Sequence, residues 1–154
     1  MSATFPFLAV MSLATILDFA TKRISNYLIL LGLSAGLVLS YLNGGPSGLV
    51  DSAFGALLGL LLFIYPYIKS LIGAGDTKLM AVAGSFLGPY SVLMAALYVS
   101  IIGGLLVLVY LIYKGLLFDS LNRAFRFKFS SNRIPYAFAI SLGACLALLN
   151  PTLL

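Results

Sequence analysis

The chain is a succession of apolar runs separated by short polar or Gly/Pro breaks. The runs cover about residues 4–19, 27–42, 49–68, 77–87, 90–113 and 135–149. The breaks include Thr21-Lys22-Arg23, Asn43-Gly44-Gly45-Pro46, the glycine-flanked stretch before Thr77, and Gly88-Pro89. Helices that are hydrophobic nearly all round are buried in protein or in lipid. The pattern therefore predicts an all-α fold, a polytopic transmembrane helical bundle of about six spans. Several runs fall short of the ~20 residues that cross a hydrocarbon core. Residues 77–87, at ~1.5 Å per residue, reach only about 17 Å, so this run either extends back into the preceding loop or enters the bilayer part-way.

Composition carries the same reading further. The 154 residues are 62% hydrophobic and 8% charged, against about 45–50% and about 25% in a soluble domain. Mean hydropathy is +1.12. This is an integral membrane protein, and residues 1–154 read as one membrane domain with no room for a separate soluble one. Cys145 sits in an apolar run and permits no internal disulfide; with no histidine, a structural zinc site has almost no ligands, so neither metal nor cofactor is expected. The first basic residue is Lys22, so the N-terminus lacks the basic region of a signal peptide and the first run reads as a retained helix.

The net charge of +5 reports topology before it reports nucleic-acid binding. Lys22 and Arg23 fall in the first loop, Lys69 and Lys78 bracket the third, and Lys114, Arg123, Arg126, Lys128 and Arg133 lie in or beside the fifth. The second and fourth loops and both termini carry no Lys or Arg. The positive-inside rule then makes loops one, three and five cytoplasmic and puts both termini outside. In the fifth loop Phe118, Leu121 and Phe125 recur at helical spacing among the cations. Such a stretch either lies in the headgroup layer against anionic lipid or is a solvated topogenic loop.

Only four acidic residues occur, Asp18, Asp51, Asp76 and Asp119. On this topology Asp18 ends the first run and Asp76 begins the fourth, so both fall at the cytoplasmic face, while Asp51 falls on the opposite side. Two aspartates brought together can hydrolyse a peptide bond without a covalent intermediate, one as general base on a water and the other as proton donor. Like charges a few ångströms apart cannot both ionise, so such a pair holds one proton between its members. In Gly73-Ala74-Gly75-Asp76, Gly73 and Gly75 would allow positive φ and close approach of a substrate backbone. Plainer readings stand beside these. Asp76 is a good N-cap before Thr77-Lys78-Leu79, and Asp18 can pair with Lys22 one turn on. Asp51 and Asp119 look like loop or cap residues. Asn26 is a turn residue or an interhelical hydrogen-bond donor. Gly55, Gly59, Gly103 and Gly104 read as close-packing positions.

Three segments together resemble the type IV prepilin peptidases, polytopic G-x-G-D aspartic proteases of the inner membrane. They are Asp18-x-x-x-x-Arg23-Ile24-x-Asn26, then Gly73-x-Gly75-Asp76-x-Lys78-Leu79, then Arg133-Ile134-Pro135-Tyr136-Ala137 with Ala139-Ile140 and Gly143. The resemblance implies cleavage of prepilin or pseudopilin precursors between a basic leader and an apolar helix, at the cytoplasmic membrane face. It makes Asp18 and Asp76 the catalytic pair and Gly73, Gly75, Lys78, Asn26, Arg23 and Pro135 motif residues near the site. Ser25 stands where the family commonly has a proline. No C-x-x-C pair is present and the chain runs almost directly from Met1 into its first apolar run, so it resembles the short form found in tight-adherence pilus systems and archaeal relatives. The expectation is peptidase activity without a zinc site, with N-methylation left open.

Two other classes could use the same aspartates. An ion- or proton-coupled transporter or channel component would use the same aspartates, but would set them near the midplane or at both faces rather than at one edge. An assembly subunit would use them only as caps. Presenilin-type proteases share G-x-G-D but carry their other aspartate after a tyrosine, whereas Asp18 follows Leu17.

Overall fold

The computed structural model describes residues 4–21, 24–69, 72–113 and 137–149. They form four helices and no strand: α1 (Thr4–Thr21), α2 (Asn26–Ile68), α3 (Ala74–Tyr113) and α4 (Ala137–Leu149). Among the described residues there are thus four helices rather than six separate ones. α2 and the Ala74–Val109 part of α3 are long and apolar enough to cross a membrane, while α1 and α4 are shorter apolar helices. Residues 118–133, including the Phe118–Phe125 stretch expected at the headgroups, lie outside the described residues, as does Asp119.

Neither long helix is straight. α2 breaks at Gly45, which sits at φ 62°, and α3 breaks at Gly88, at φ 78°. Both are left-handed positions that glycine adopts without steric cost, and a proline follows each. Contacts show what the breaks do. In the first half of α2, Gly32 lies against Val82, Gly36 against Ser85 and Asn26 against Lys78, so this half runs parallel to the start of α3. In the second half, Ser52 meets Ser85, Gly55 meets Gly84 and Gly59 meets Met80, in the reverse order. α2 is therefore folded back on itself at Gly45, and Gly48 lies against the Ser40 carbonyl just past the turn. α3 folds back likewise. Beyond Gly88, Leu93, Ala96, Leu97 and Ser100 line a groove with Leu62 and Phe63, while Val99 packs on Gly143 of α4.

In lipid, helices gain little from hiding apolar surface, so association rests on close packing and interhelical hydrogen bonds. Both are concentrated where α2 crosses α3. A side chain at Gly55 would overlap the Gly84 carbonyl, and one at Gly84 would overlap the Gly55 carbonyl. Gly59 is closed in the same way by the Met80 carbonyl. Gly103 is buried, but Gly104, also expected to be a packing position, is exposed and faces open space.

The turn at Gly88-Pro89 creates a polar debt beside this crossing. Pro89 has no N–H to offer the carbonyl of Ser85 four residues earlier. That carbonyl instead accepts the Ser52 hydroxyl at 2.6 Å and the Ser40 hydroxyl at 3.4 Å, both from α2. The rest of the core is apolar: Phe7, Met11, Leu79, Met80, Val82, Val92, Val99 and Ile140 are almost wholly buried. Phe7 meets Phe86 edge-to-face at 5.5 Å. The outer surface is apolar too, with Phe5, Leu30, Leu31, Leu61, Ile101 and Leu105 exposed, as lipid-facing side chains would be.

Two stability outcomes follow. Gly84→Val should destabilise the protein by about 1–3 kcal/mol through overpacking against the α2 backbone, whereas Gly104→Ala should be neutral or slightly stabilising. Ser52→Ala should cost about 1 kcal/mol by leaving the Ser85 carbonyl with only its longer bond. Thermal midpoints of the purified variants in one detergent would rank all three. A Gly84→Val midpoint equal to that of Gly104→Ala would contradict the crossing described here.

Candidate functional site

Asp76 is the third residue of α3, not the residue that precedes the helix. Its Oδ2 accepts the N–H of Gly73 at 3.1 Å, while the Thr77 N–H and hydroxyl both donate to the Gly73 carbonyl at 3.2 Å. Asp76 therefore reaches back to close the first turn, as the acidic member of a capping box does, and puts negative charge at the positive end of the helix dipole. It is 8% exposed. The expected N-cap role is corrected accordingly: Gly73 occupies the cap position.

The glycines do not take the positive φ expected of them. Positive φ occurs at Gly45 and Gly88 among the described residues, not at Gly73 or Gly75. What these two provide is room. A side chain on Gly73 would lie 3.0 Å from Asp76 Oδ2, and one on Gly75 would lie 3.2 Å from Cβ of Ile24. The connector leaving α1 is thus seated directly on the first turn of α3.

α2 begins beside that contact. Ser25 caps it, with φ −65° and ψ 133° and its hydroxyl accepting the Tyr27 N–H at 3.3 Å. That φ is the value a proline would impose, so the serine keeps the backbone path and adds a cap. Asn26 follows, and its Oδ1 accepts a hydrogen bond from Lys78 Nζ at 2.9 Å. Asn26 does bond between helices, but as the acceptor rather than the expected donor.

Asp18 lies in the last turn of α1 and is partly buried. The first backbone N–H of α4, at Ala137, hydrogen-bonds its carboxylate. Its Oδ2 is buried and has no hydrogen-bond partner among the described residues. One turn earlier, the Thr15 hydroxyl is 2.7 Å from that of Ser141, which also donates to the Met11 carbonyl at 3.1 Å. α4 therefore runs antiparallel to α1 with its N-terminus at Asp18.

The two aspartates share one end of the bundle. Phe7 packs on Phe86, and Val10 and Val82 meet over Gly32, so α1 descends as the first half of α3 ascends. Carried along the same register, Asp18 comes level with the first turn of α3, where Asp76 sits. Asp51 is exposed and adjoins Ser52, near the Gly45 and Gly88 turns at the other end. Arg23 and Pro135 lie outside the described residues. Sequence reasoning passed over Ile24 as a contact residue and missed Thr15 and Ser141. A threonine three residues before Asp18 in an otherwise apolar run is the signal that would have found the first of that pair.

Comparison with known proteins bears on the same residues. No curated protein and no solved structure matches the chain significantly. The model of the type IV leader peptidase family matches residues 5–108, a stretch that contains Asp18, Asn26, Gly73, Gly75, Asp76 and Lys78 and ends before α4. With well over half its length matched, and all of α1 and α2 within the match apart from the first residue, the chain belongs to the type IV leader peptidase family, whose members are membrane-embedded proteases.

Proposed function

We propose that this protein is a membrane-embedded aspartic endopeptidase that removes the leader peptide from type IV prepilin-like precursors, with Asp18 and Asp76 as its catalytic pair. The observation that carries the proposal is the buried Oδ2 of Asp18, without a partner among the described residues, at the bundle end that also carries Asp76. A buried carboxylate oxygen without a partner is costly and calls for an explanation. A catalytic water or a shared proton supplies one. The family match favours this reading over the ion-coupled transporter, which has no comparable support.

The chemistry needs only the two side chains and water. The ionised carboxylate takes a proton from water as the water oxygen bonds to the scissile carbonyl carbon. The other carboxyl gives its proton to the carbonyl oxygen, forming a tetrahedral diol. As the C–N bond breaks, the leaving amine takes the proton now on the first carboxyl, and a diol hydroxyl returns one to the second. The pair ends in its starting protonation state, and no group is covalently modified.

In this proposal the chain crosses the cytoplasmic membrane six times, the halves of α2 and α3 on either side of Gly45 and Gly88 counting as separate spans. Lys69 and Lys78 lie on the same end of the bundle as Asp76, which supports a cytoplasmic site under the positive-inside rule. Substrates would be prepilins or pseudopilins, their apolar helix lying among the spans. Anionic headgroups would meet the cations between Phe118 and Arg133.

Asp18→Asn and Asp76→Asn should each lower the rate of leader removal by at least about 10³-fold at unchanged membrane abundance. Asp76→Asn keeps an oxygen for the Gly73 N–H, so its stability cost should be about 1 kcal/mol or less. Co-expression with a prepilin and mass measurement of the precursor checks this. Processing at the wild-type rate in both variants would end the dyad reading, and the product mass would also show whether the new N-terminus is methylated.

A further inference from the structure

We infer that Asn26 and Lys78 are positioning residues: their hydrogen bond, together with the seating of Ile24 on Gly75, clamps the end of α1 to the first turn of α3 and so holds Asp18 and Asp76 at a working separation. The inference rests on the aspartate-pair reading above.

The two aspartates are carried by different helices, and a pair that must share one proton tolerates little drift. The packing of α1 on α3 through Phe7 and Val10 lies two or more turns away from Asp18. Near the aspartates, the connector touches α3 at Gly75 and Lys78, three residues apart and therefore on one helix face. Asp76 lies between them in the chain. The first anchor is steric and depends on the lack of a side chain at position 75. The second is a charge-assisted hydrogen bond of 2.9 Å, the stronger kind.

The partner's identity fits this role. A carboxylate at position 26 would bind Lys78 more strongly, but it would add a second negative charge beside a pair that already holds one. The Asn26 amide accepts the ammonium proton without adding charge. Asn26 is also the first residue of α2, directly behind the Ser25 cap, so the clamp grips the connector at a point fixed by hydrogen bonds. Lys78 in turn is anchored by a backbone turn that Asp76 itself closes through Gly73.

The test reads geometry and catalysis separately. Ala20 and Ala74 are exposed and flank the site on α1 and α3. Spin labels on Ala20→Cys and Ala74→Cys in a Cys145→Ser chain report the clamp while leaving both aspartates intact. Lys78→Met and Asn26→Leu should each broaden the interlabel distance distribution about twofold as the connector loosens, and combining them should add nothing. Lys78→Arg, which keeps a donor, should restore most of the wild-type distribution. In cleavage of a prepilin substrate the Met and Leu variants should lose about 10–100-fold in kcat with KM within about twofold, again with recovery by Lys78→Arg.

An unchanged distance distribution in Lys78→Met overturns the clamp, whatever happens to activity. A raised KM with unaltered kcat overturns it in favour of substrate binding by Lys78. If the distribution depends on Lys78 but the wild-type chain cleaves no precursor, the clamp stands and the peptidase reading fails.

Discussion

The contact on which the structure depends is the crossing of the second half of α2 over the first half of α3, where Gly55 and Gly84 admit each other's carbonyl oxygens. With lipid as solvent, little is gained by hiding apolar side chains, and approach distance decides which helices associate. Backbones that close leave no freedom of register. Once Gly55 lies on Gly84 and Gly59 on Met80, the whole first half of α3 is fixed in height against α2, including its first turn. The hydroxyls of Ser52 and Ser40 lock the same crossing by satisfying the one carbonyl that Pro89 leaves without a helical partner. Turn and crossing are thus one device: the break that reverses α3 also supplies the acceptor that ties it to α2.

From that fixed height the site is assembled at the opposite end of the same helix. Gly73 and Asp76 close the first turn of α3, Gly75 admits Ile24, and Lys78 reaches Asn26. Each of these depends on a turn whose position was set by the glycine crossing about two to three helical turns away. α4 arrives independently, on the Thr15–Ser141 pair and on the Val99–Gly143 contact. It lies beyond the residues the family model matches, yet it supplies the only backbone N–H found on the Asp18 carboxylate among the described residues.

Much of this was legible in the residues. The breaks at Asn43-Gly44-Gly45-Pro46 and Gly88-Pro89 were readable because glycine and proline encode backbone geometry locally, and both are reversals in the structure. The shared level of Asp18 and Asp76 was readable from the alternation of charged and uncharged loops. Roles that depend on a distant partner were not. Gly73 and Gly75 looked like positions needing positive φ, when what marks them is that a side chain at either would crowd Asp76 or Ile24. Asp76 looked like a cap because the helix start was placed at Thr77, three residues late. Thr15 and Ser141 are 126 positions apart, and nothing local marks them as partners. Gly104 shows the converse, a glycine in an apolar run that packs on nothing.

As the proposed catalytic pair, Asp18 and Asp76 would carry an electrostatic difficulty of their own, since each would raise the cost of ionising the other in a poorly solvated place. The fold meets it in part with helix ends. The Asp76 carboxylate sits in the first turn of α3 and takes the Gly73 N–H, and the Asp18 carboxylate sits at the first N–H of α4. Helix N-termini favour negative charge by roughly 0.3–1 kcal/mol each at the surface and up to ~2 kcal/mol when partly buried. Two of them arranged around one pair would offset part of the repulsion between the carboxylates. An ammonium or guanidinium paired with either carboxylate would hold an oxygen needed for water or for the shared proton. Lys78, the described cation nearest to Asp76 in the chain, is turned instead to the Asn26 amide. Backbone dipoles steady the charge, and among the described residues the Asp18 Oδ2 has no hydrogen-bond partner.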